Sequence, residues 1–187
     1  MSQLLAAAEF ACVEAQEVSA GLCRQNMSLN GLDSRVTVHH ADLRSLDGGL
    51  GHFDLVTGTP PFMPRGSGVL PQDPQRAAAR FELRGGIEEY SAASAMHLAD
   101  EGRVSLVMDG AQDARCRRAF TAAGLQLVGV RWIVPRAGKD VRYIAYIGRK
   151  APVAGPQSPS EDTITIRDAD GVFTEEWLGI REVLFLD

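Results

Sequence analysis

The chain has 187 residues, 45% of them hydrophobic and 23% charged, with a formal net charge of −5. That length and balance suit one soluble globular domain with a real core and exclude binding of nucleic acid through overall charge. No apolar run approaches the ~18 residues a membrane span needs.

The charge is unevenly placed. Arg115, Arg117, Arg118, Arg131, Arg136, Lys139, Arg142, Arg149 and Lys150 face only Asp113 and Asp140. After Lys150 the balance turns acidic. The basic stretch suits either a phosphate backbone or a solvated surface with local ion pairs. Cys12, Cys23 and Cys116 are odd in number and scattered, which argues against a disulfide framework and a zinc site. They point to a reducing, cytoplasmic compartment. His39, His40, His52 and His97 have no ligand spacing, so no metal is expected. The start, "MSQLLAAAEFACVEA", lacks a basic segment and carries Glu9, so it does not read as a signal peptide.

In chain order, "EFACVEA" is a short apolar run ending at Glu14 and reads as a buried strand. "EVSAGLCRQNMSLNGL" reads as a helix with Val18, Leu22, Leu29 and Leu32 near one stripe and Gly31 as its C-cap. "RVTVHHAD" alternates and reads as a strand ending at Asp42. "FDLVTG" is the next strand. It stops at "TPPF", where two prolines fix φ twice and remove two backbone donors. Each proline also keeps its predecessor out of the helical region, so Gly58 to Phe62 is predicted to be a stiff, extended turn. The Pro/Gly-rich stretch from Thr59 to Pro74 is long enough to be a functional loop.

Next, "GGIEEYSAASAMHLADEG" is predicted as a helix closed by Gly102, "GRVSLVMDG" as a strand, and "AQDARCRRAFTAAG" as a helix capped by Gly124. "LQLVGVRWIV" and "VRYIAYIGRK" alternate around a Pro/Gly turn and read as an antiparallel hairpin. Val128, Val130, Trp132 and Val134 are assigned one face, and Val141, Tyr143, Ala145 and Ile147 another. "APVAGPQSPSED" is a linker by composition. "TITIRDADGVFTEEWLGI" offers a strand, a turn and a short helix. The order predicts an α/β fold, a parallel sheet with an antiparallel pair at one edge. Residues 1–150 are read as the core and 151–187 as linker and tail of the same domain. Glu14 and Asp42 should project from one rim, where carboxylates accept bonds from ribose hydroxyls or an adenine amine. Taken alone, each reads more readily as a capping or solvated carboxylate.

Glu14 after one strand, Asp42 after the next and "TPPF" after "FDLVTG" resemble the motif series of the class I S-adenosylmethionine-dependent methyltransferases. Their amino-methylating members carry Asn/Asp-Pro-Pro-Tyr/Phe at this place. The likeness is greatest to the bacterial tRNA(Val) adenine-N6 methyltransferases and related small methyltransferases. It extends through "PQDPQRAAARFELRGGIEEY", the hairpin and "ITIRDADGVFTEEW". The resemblance implies a Rossmann-like sheet and S-adenosylmethionine as cofactor, held by Glu14, Asp42, Leu43 and Thr59. It implies that Thr59, with the backbone around Pro60 and Pro61, accepts from the N–H groups of an exocyclic amine while Phe62 stacks on the base. Arg80, Arg84 and Lys139 are candidate contacts to substrate phosphate; the alternative for the two arginines is bracing the loop through Glu82 and Glu88.

The implied substrate is adenine N6 in tRNA or another RNA, with no membrane partner. A protein glutamine amide, DNA adenine and a non-catalytic binding module are the competing readings. The chain departs from the pattern twice. Thr59 stands where the family has Asn or Asp, offering one hydroxyl oxygen for an amide or carboxylate. No glycine-rich turn precedes Glu14, and "MSQLLAAAEF" reads as the remainder of the helix that follows that turn. The family's first strand, central between the Glu14 and Phe53 strands, is therefore expected to be missing, leaving both with unpaired edges.

Overall fold

A computed structural model describes residues 8–46, 48–151 and 158–184. It forms two compact units, Met1–Gly51 and His52–Asp187.

The first unit is a βαβ element. Strand β1 (Phe10–Glu14) leads into helix α1 (Glu17–Leu29), and strand β2 (Val36–His40) returns parallel to β1. Phe10 lies opposite Val36 and Glu14 opposite His40. Gly31, at φ 65°, ends the helix in the left-handed conformation that glycine adopts without strain. Ala20 is the buried residue of α1. The apolar stripe expected to be its buried face is instead open, with Val18 59%, Leu22 53% and Leu29 85% exposed. The helical remainder expected over residues 1–10 lies largely outside the described residues; Ala8 and Glu9 have no regular structure and Phe10 already belongs to β1.

The second unit holds strands β3 (Phe53–Gly58), β4 (Leu98–Asp109), β5 (Leu125–Val134), β6 (Tyr143–Lys150) and β7 (Ser160–Thr165). Its helices are α2 (Pro74–Arg80), α3 (Ile87–His97), α4 (Asp113–Ala122) and α5 (Glu175–Val183). The sheet order is β3-β4-β6-β5-β7. β3 runs parallel to β4, and β6 is antiparallel to both β4 and β5. β7 is parallel to β5. The carboxyl ends of β3, β4, β5 and β7 therefore share one rim.

Two expectations need correction. The antiparallel strand is interior rather than at an edge, because β6 inserts between β4 and β5 and β7 takes the outer place. The helix expected to reach Gly102 ends at His97, and Leu98 to Asp109 is one long strand. Leu98 is fully buried and its partner is Phe53, so strand pairing overrides the helical composition there. On β6 the alternation holds: Ile144, Tyr146 and Gly148 form the buried face, and Tyr143, Ala145 and Ile147 share the other. Of the expected linker, residues 152–157 lie outside the described residues, and its last residues, from Ser160, belong to β7.

Among the described residues β1 pairs only with β2 and β3 only with β4. Each of the two strands thus has one edge without a strand partner among the described residues. Leu55 of β3 is 47% exposed.

The core of the second unit lies between the sheet and helices α3 and α4. Ile87, Leu98, Val104, Leu106, Met108, Cys116, Phe120, Val130, Ile144 and Tyr146 form it. The Tyr146 hydroxyl donates to Asp113 Oδ1 at 3.0 Å, so its polar end is satisfied. Burial pushes the Cys116 thiol up to about 11, which keeps it a protonated, inert core residue. The three cysteines are free thiols.

The Arg115 guanidinium clamps the helices to the chain before them. It donates to Glu82 at 2.7 and 3.0 Å, to Glu88 at 2.8 and 2.6 Å and to Gln112 Oε1 at 2.8 Å. These bonds hold the Glu88 carboxyl below the usual carboxylate range. Arg131 does the same to Asp162. A depressed folded-state value stabilises fully above the unfolded carboxylate range and is lost as pH falls through it. Thermal melts of the wild type should therefore lose stability below about pH 5. The advantage over Arg115→Met should narrow over the same interval, and a constant gap would contradict the linkage.

Candidate functional site

Strand β3 delivers the Pro-Pro turn to the carboxyl rim. Gly58 is its last residue and packs tightly: a Cβ there would lie 3.1 Å from Leu106 Cδ2 and 3.1 Å from Tyr90 Cδ1. Only a residue without a side chain lets β3 and α3 approach this closely. Gly58→Ala is expected to cost about 1 kcal/mol through overpacking. A urea midpoint equal to that of the wild type would show that Tyr90 moves aside freely.

Pro60 is buried, and Thr59 is exposed with no hydrogen bond from its hydroxyl among the described residues. The turn thus presents Thr59 outward on a backbone that cannot relax. Phe62 is half-buried, with its ring centroid 5.6 Å from that of Tyr143 and the planes tilted by 44°. Gln112 Nε2 donates to the Phe62 carbonyl at 2.7 Å. Gln112 in turn accepts from Arg115, so the turn is tied to the guanidinium that anchors α3 and α4. Tyr143 opens β6 on the same rim and carries the Arg142 guanidinium 5.4 Å from its ring centroid.

The loop beyond the turn is folded back rather than loose. Met63 N donates to Arg80 O at 3.0 Å and Glu82 N to Met63 O at 2.9 Å. Arg65 donates to the carbonyls of Glu82 and Leu83. Arg80 is exposed and its Nη2 lies 3.8 Å from Met63 Sδ. Arg84 is exposed and makes no side-chain bond among the described residues. The alternative that Glu82 and Glu88 brace these two arginines is overturned, since both carboxylates belong to Arg115. Lys139 is exposed in the β5–β6 turn beside Gly138, whose φ is 76°.

In the first unit, Glu14 and Asp42 follow the same end of the parallel pair β1–β2. Glu14 Oε1 accepts from Gln16 N at 2.7 Å, and Oε2 has no partner among the described residues. Asp42 caps the short 3-10 turn Leu43–Ser45, accepting from Arg44 N at 3.0 Å and from its guanidinium at 2.9 and 2.7 Å. Both carboxylates thus accept from the backbone N–H two residues on, and Glu14 Oε2 is left over. The described residues fit the ribose end of a nucleoside cofactor through Glu14, and they contain no glycine-rich turn for its other end.

Sequence reading found the turn and missed its supports. Gln112, Arg115 and Tyr143 lie 50 or more residues along the chain from Phe62, and no local spacing connects them. Among the described residues no group of acidic, histidine or cysteine side chains could hold a metal ion. No described helix is long and apolar enough to cross a membrane.

Solved structures share this fold. A predicted O-methyltransferase from Agrobacterium tumefaciens matches with a TM-score of 0.67 at 16% identity, over 97% of this chain and 80% of that one. A precorrin-6y C5,15-methyltransferase from Geobacter metallireducens matches with a TM-score of 0.52 at 18% identity, over 80% of this chain and 71% of that one. The fold is the Rossmann-like fold of S-adenosylmethionine-dependent methyltransferases, and S-adenosylmethionine is the cofactor of that class.

Sequence relatives agree on the class and narrow it. The tRNA1(Val) (adenine(37)-N6)-methyltransferase of Shewanella sp. (strain MR-4) is 27% identical over 181 residues, 95% of this chain and 75% of that protein. The enzyme of the same name from Porphyromonas gingivalis (strain ATCC 33277) is 28% identical over 181 residues, 92% of this chain and 69% of that protein. No protein-family model matches the chain. The resemblance is therefore to the tRNA1(Val) adenine-N6 methyltransferases within the S-adenosylmethionine-dependent class.

Proposed function

We propose that this protein transfers a methyl group from S-adenosylmethionine to the exocyclic N6 amine of an adenine in RNA, with tRNA as the substrate class. The observation that carries this reading is the Gly58–Phe62 turn, rigid, rim-facing and backed by Gln112 and Tyr143. The sequence relatives, named for adenine-N6 methylation of tRNA, support it.

The adenine amine is a weak nucleophile because its lone pair is shared with the ring. Acceptors placed on its N–H groups align that lone pair with the acceptor carbon. Here those acceptors are Thr59 Oγ1 and the carbonyls of Gly58 and Pro60. They are fixed before the base arrives, so little reorganisation accompanies transfer. Phe62 supplies the ring face for a base that has left its own stack. The cofactor supplies a methyl group activated by a sulfonium charge, so no nucleophilic side chain is needed. Glu14, through Oε2, is assigned to its ribose hydroxyls, and the segment Asp42–Leu43 to its adenine. Arg80, Arg84 and Lys139 are assigned to RNA phosphate.

The test is incubation of the full chain with S-adenosylmethionine and a bacterial tRNA1(Val) transcript, followed by nucleoside mass spectrometry. N6-methyladenosine above the no-enzyme control supports the reading. Its absence, with cofactor bound and the protein folded, overturns it.

A further inference from the structure

Beyond the Pro-Pro turn the chain makes a loop that is fixed at both ends and apolar at its tip. The first end is a turn over residues 64–67. Ser67 N donates to Pro64 O at 3.1 Å and Ser67 Oγ to the same carbonyl at 2.7 Å, with Gly66 at φ 79°. Arg65 ties this turn to the carbonyls of Glu82 and Leu83. Gly68 then passes close to Met63 and Phe81: a Cβ there would lie 3.2 Å from Met63 Cε and 3.8 Å from Phe81 Cζ. Phe81 is buried and pairs with Met63 through a backbone bridge. The far end is Asp73, which accepts from Gln75 N at 3.0 Å and starts α2.

Between these anchors Val69 and Leu70 stand in solvent, 94% and 51% exposed. An aliphatic pair left in water adds nothing to the fold. The backbone on either side is already held, so neither side chain is needed to place the loop. Met63 follows Phe62 directly, and the approach of Gly68 to Met63 sets the pair beside the ring assigned to the target base.

The flank of the loop is basic. Arg76 and Arg80 stand four residues apart on one face of α2, and Arg84 follows shortly after. All three are exposed, and none takes part in an ion pair among the described residues. The carboxylates of this segment are engaged elsewhere, Glu82 by Arg115 and Asp73 by its own cap. An apolar tip on a basic flank suits a ligand with an anionic backbone and apolar inner faces, which is a nucleic acid with stacked bases.

We infer that Val69 and Leu70 form a wedge that enters the RNA base stack at the place the target adenine vacates. The inference rests on the RNA reading above. An adenine that reaches Phe62 leaves a gap between its two neighbours. Aliphatic side chains pushed between bases hold such an unstacked step open. The loop is fixed by its anchors before RNA arrives, so insertion orders little new chain. Val69 and Leu70 are positioning residues: they touch the neighbours of the reacting base and leave the base itself to Phe62.

The experiment uses the full chain and three tRNA1(Val) transcripts. One carries 2-aminopurine in place of the target adenine, and its fluorescence rises when that base leaves the stack. The second is the unmodified transcript. The third has abasic sites on both sides of the target adenine, so no stack has to be opened. The double variant Val69→Ser, Leu70→Ser alters exposed side chains only, and circular dichroism checks that it is folded. It is expected to bind tRNA within about twofold of the wild type and with the same salt dependence, because the phosphate contacts remain. It should lose most of the 2-aminopurine rise and methylate the unmodified transcript about tenfold more slowly. On the abasic-flanked transcript the deficit should shrink to about twofold or less, and Val69→Ile should behave as wild type on all three. A folded double variant with the wild-type 2-aminopurine rise and rate overturns the wedge while leaving methylation of RNA standing. An equal loss of rate on the unmodified and abasic-flanked transcripts also overturns it, since the loop would then act on the Pro-Pro turn and not on the stack. A wild type that binds cofactor and methylates neither transcript overturns the functional reading, and the wedge with it.

Discussion

Replacing Phe62 by alanine is expected to lower the rate of RNA methylation about 10- to 100-fold while cofactor affinity stays near the wild-type value. The turn itself should survive the change. Pro60 is buried, and the Phe62 carbonyl, held by Gln112, is backbone and remains. What disappears is the ring face and its contact with Tyr143. Stacking on an aromatic side chain is worth about 1–3 kcal/mol per base, and here it acts on a base already flipped from its helix. Phe62→Tyr keeps the ring and should restore most of the rate. Single-turnover kinetics with saturating cofactor measures this directly, and an unchanged rate for Phe62→Ala would remove the ring from the mechanism.

Loss of the Arg115 guanidinium should be the most destabilising change at a charged residue of the second unit. Arg115→Met keeps the aliphatic stem and removes the donors that serve two carboxylates and an amide. The Glu82 side chain is only 9% exposed, so its charge would be left with little water and no partner. Breaking a buried pair from one side costs about 3–5 kcal/mol. The Glu88 arm is half in solvent, which brings the expectation here to about 2–3 kcal/mol. The double variant Arg115→Met, Glu82→Gln removes the stranded charge and should recover part of the loss, giving a coupling that denaturant titration can read. Additive effects would mean that the guanidinium and Glu82 are not energetically coupled. Because Gln112 links Arg115 to Phe62, the single variant should also raise KM for RNA.

The parts of this molecule that depend on local pattern were legible in the sequence. Alternation marked β2, β5 and β6, and Gly31 and Gly124 marked helix ends that do take positive φ. Two prolines after an apolar strand marked the turn, because proline acts through its own φ and its neighbour's. Features set by distant pairing were not legible. Leu98 to Gly102 looks helical in composition and is extended because β3 pairs with it. The stripe on α1 has a helical period, yet periodicity does not say what covers it. At the candidate site Thr59 to Phe62 could be read directly, whereas Gln112, Tyr143 and Arg115 reach it from 50 or more residues away. Asp42 could be placed after its strand, whereas the cap it makes through Arg44, two residues on, could not be read from that position.

The sheet order also dictates when this protein can fold. β5 leaves the ribosome before β6, yet its neighbour on that side is β6, which also separates it from β4. β3 and β4 can pair once residue 109 has emerged. β5 has no place in the sheet until the chain has reached Lys150 and β6 has formed hydrogen bonds on both its edges. Nascent chains stopped between the two strands would carry Val130, Trp132 and Ile133 on an unpaired strand, a template for association with other chains. The core of the second unit thus cannot close before this eight-residue strand is made.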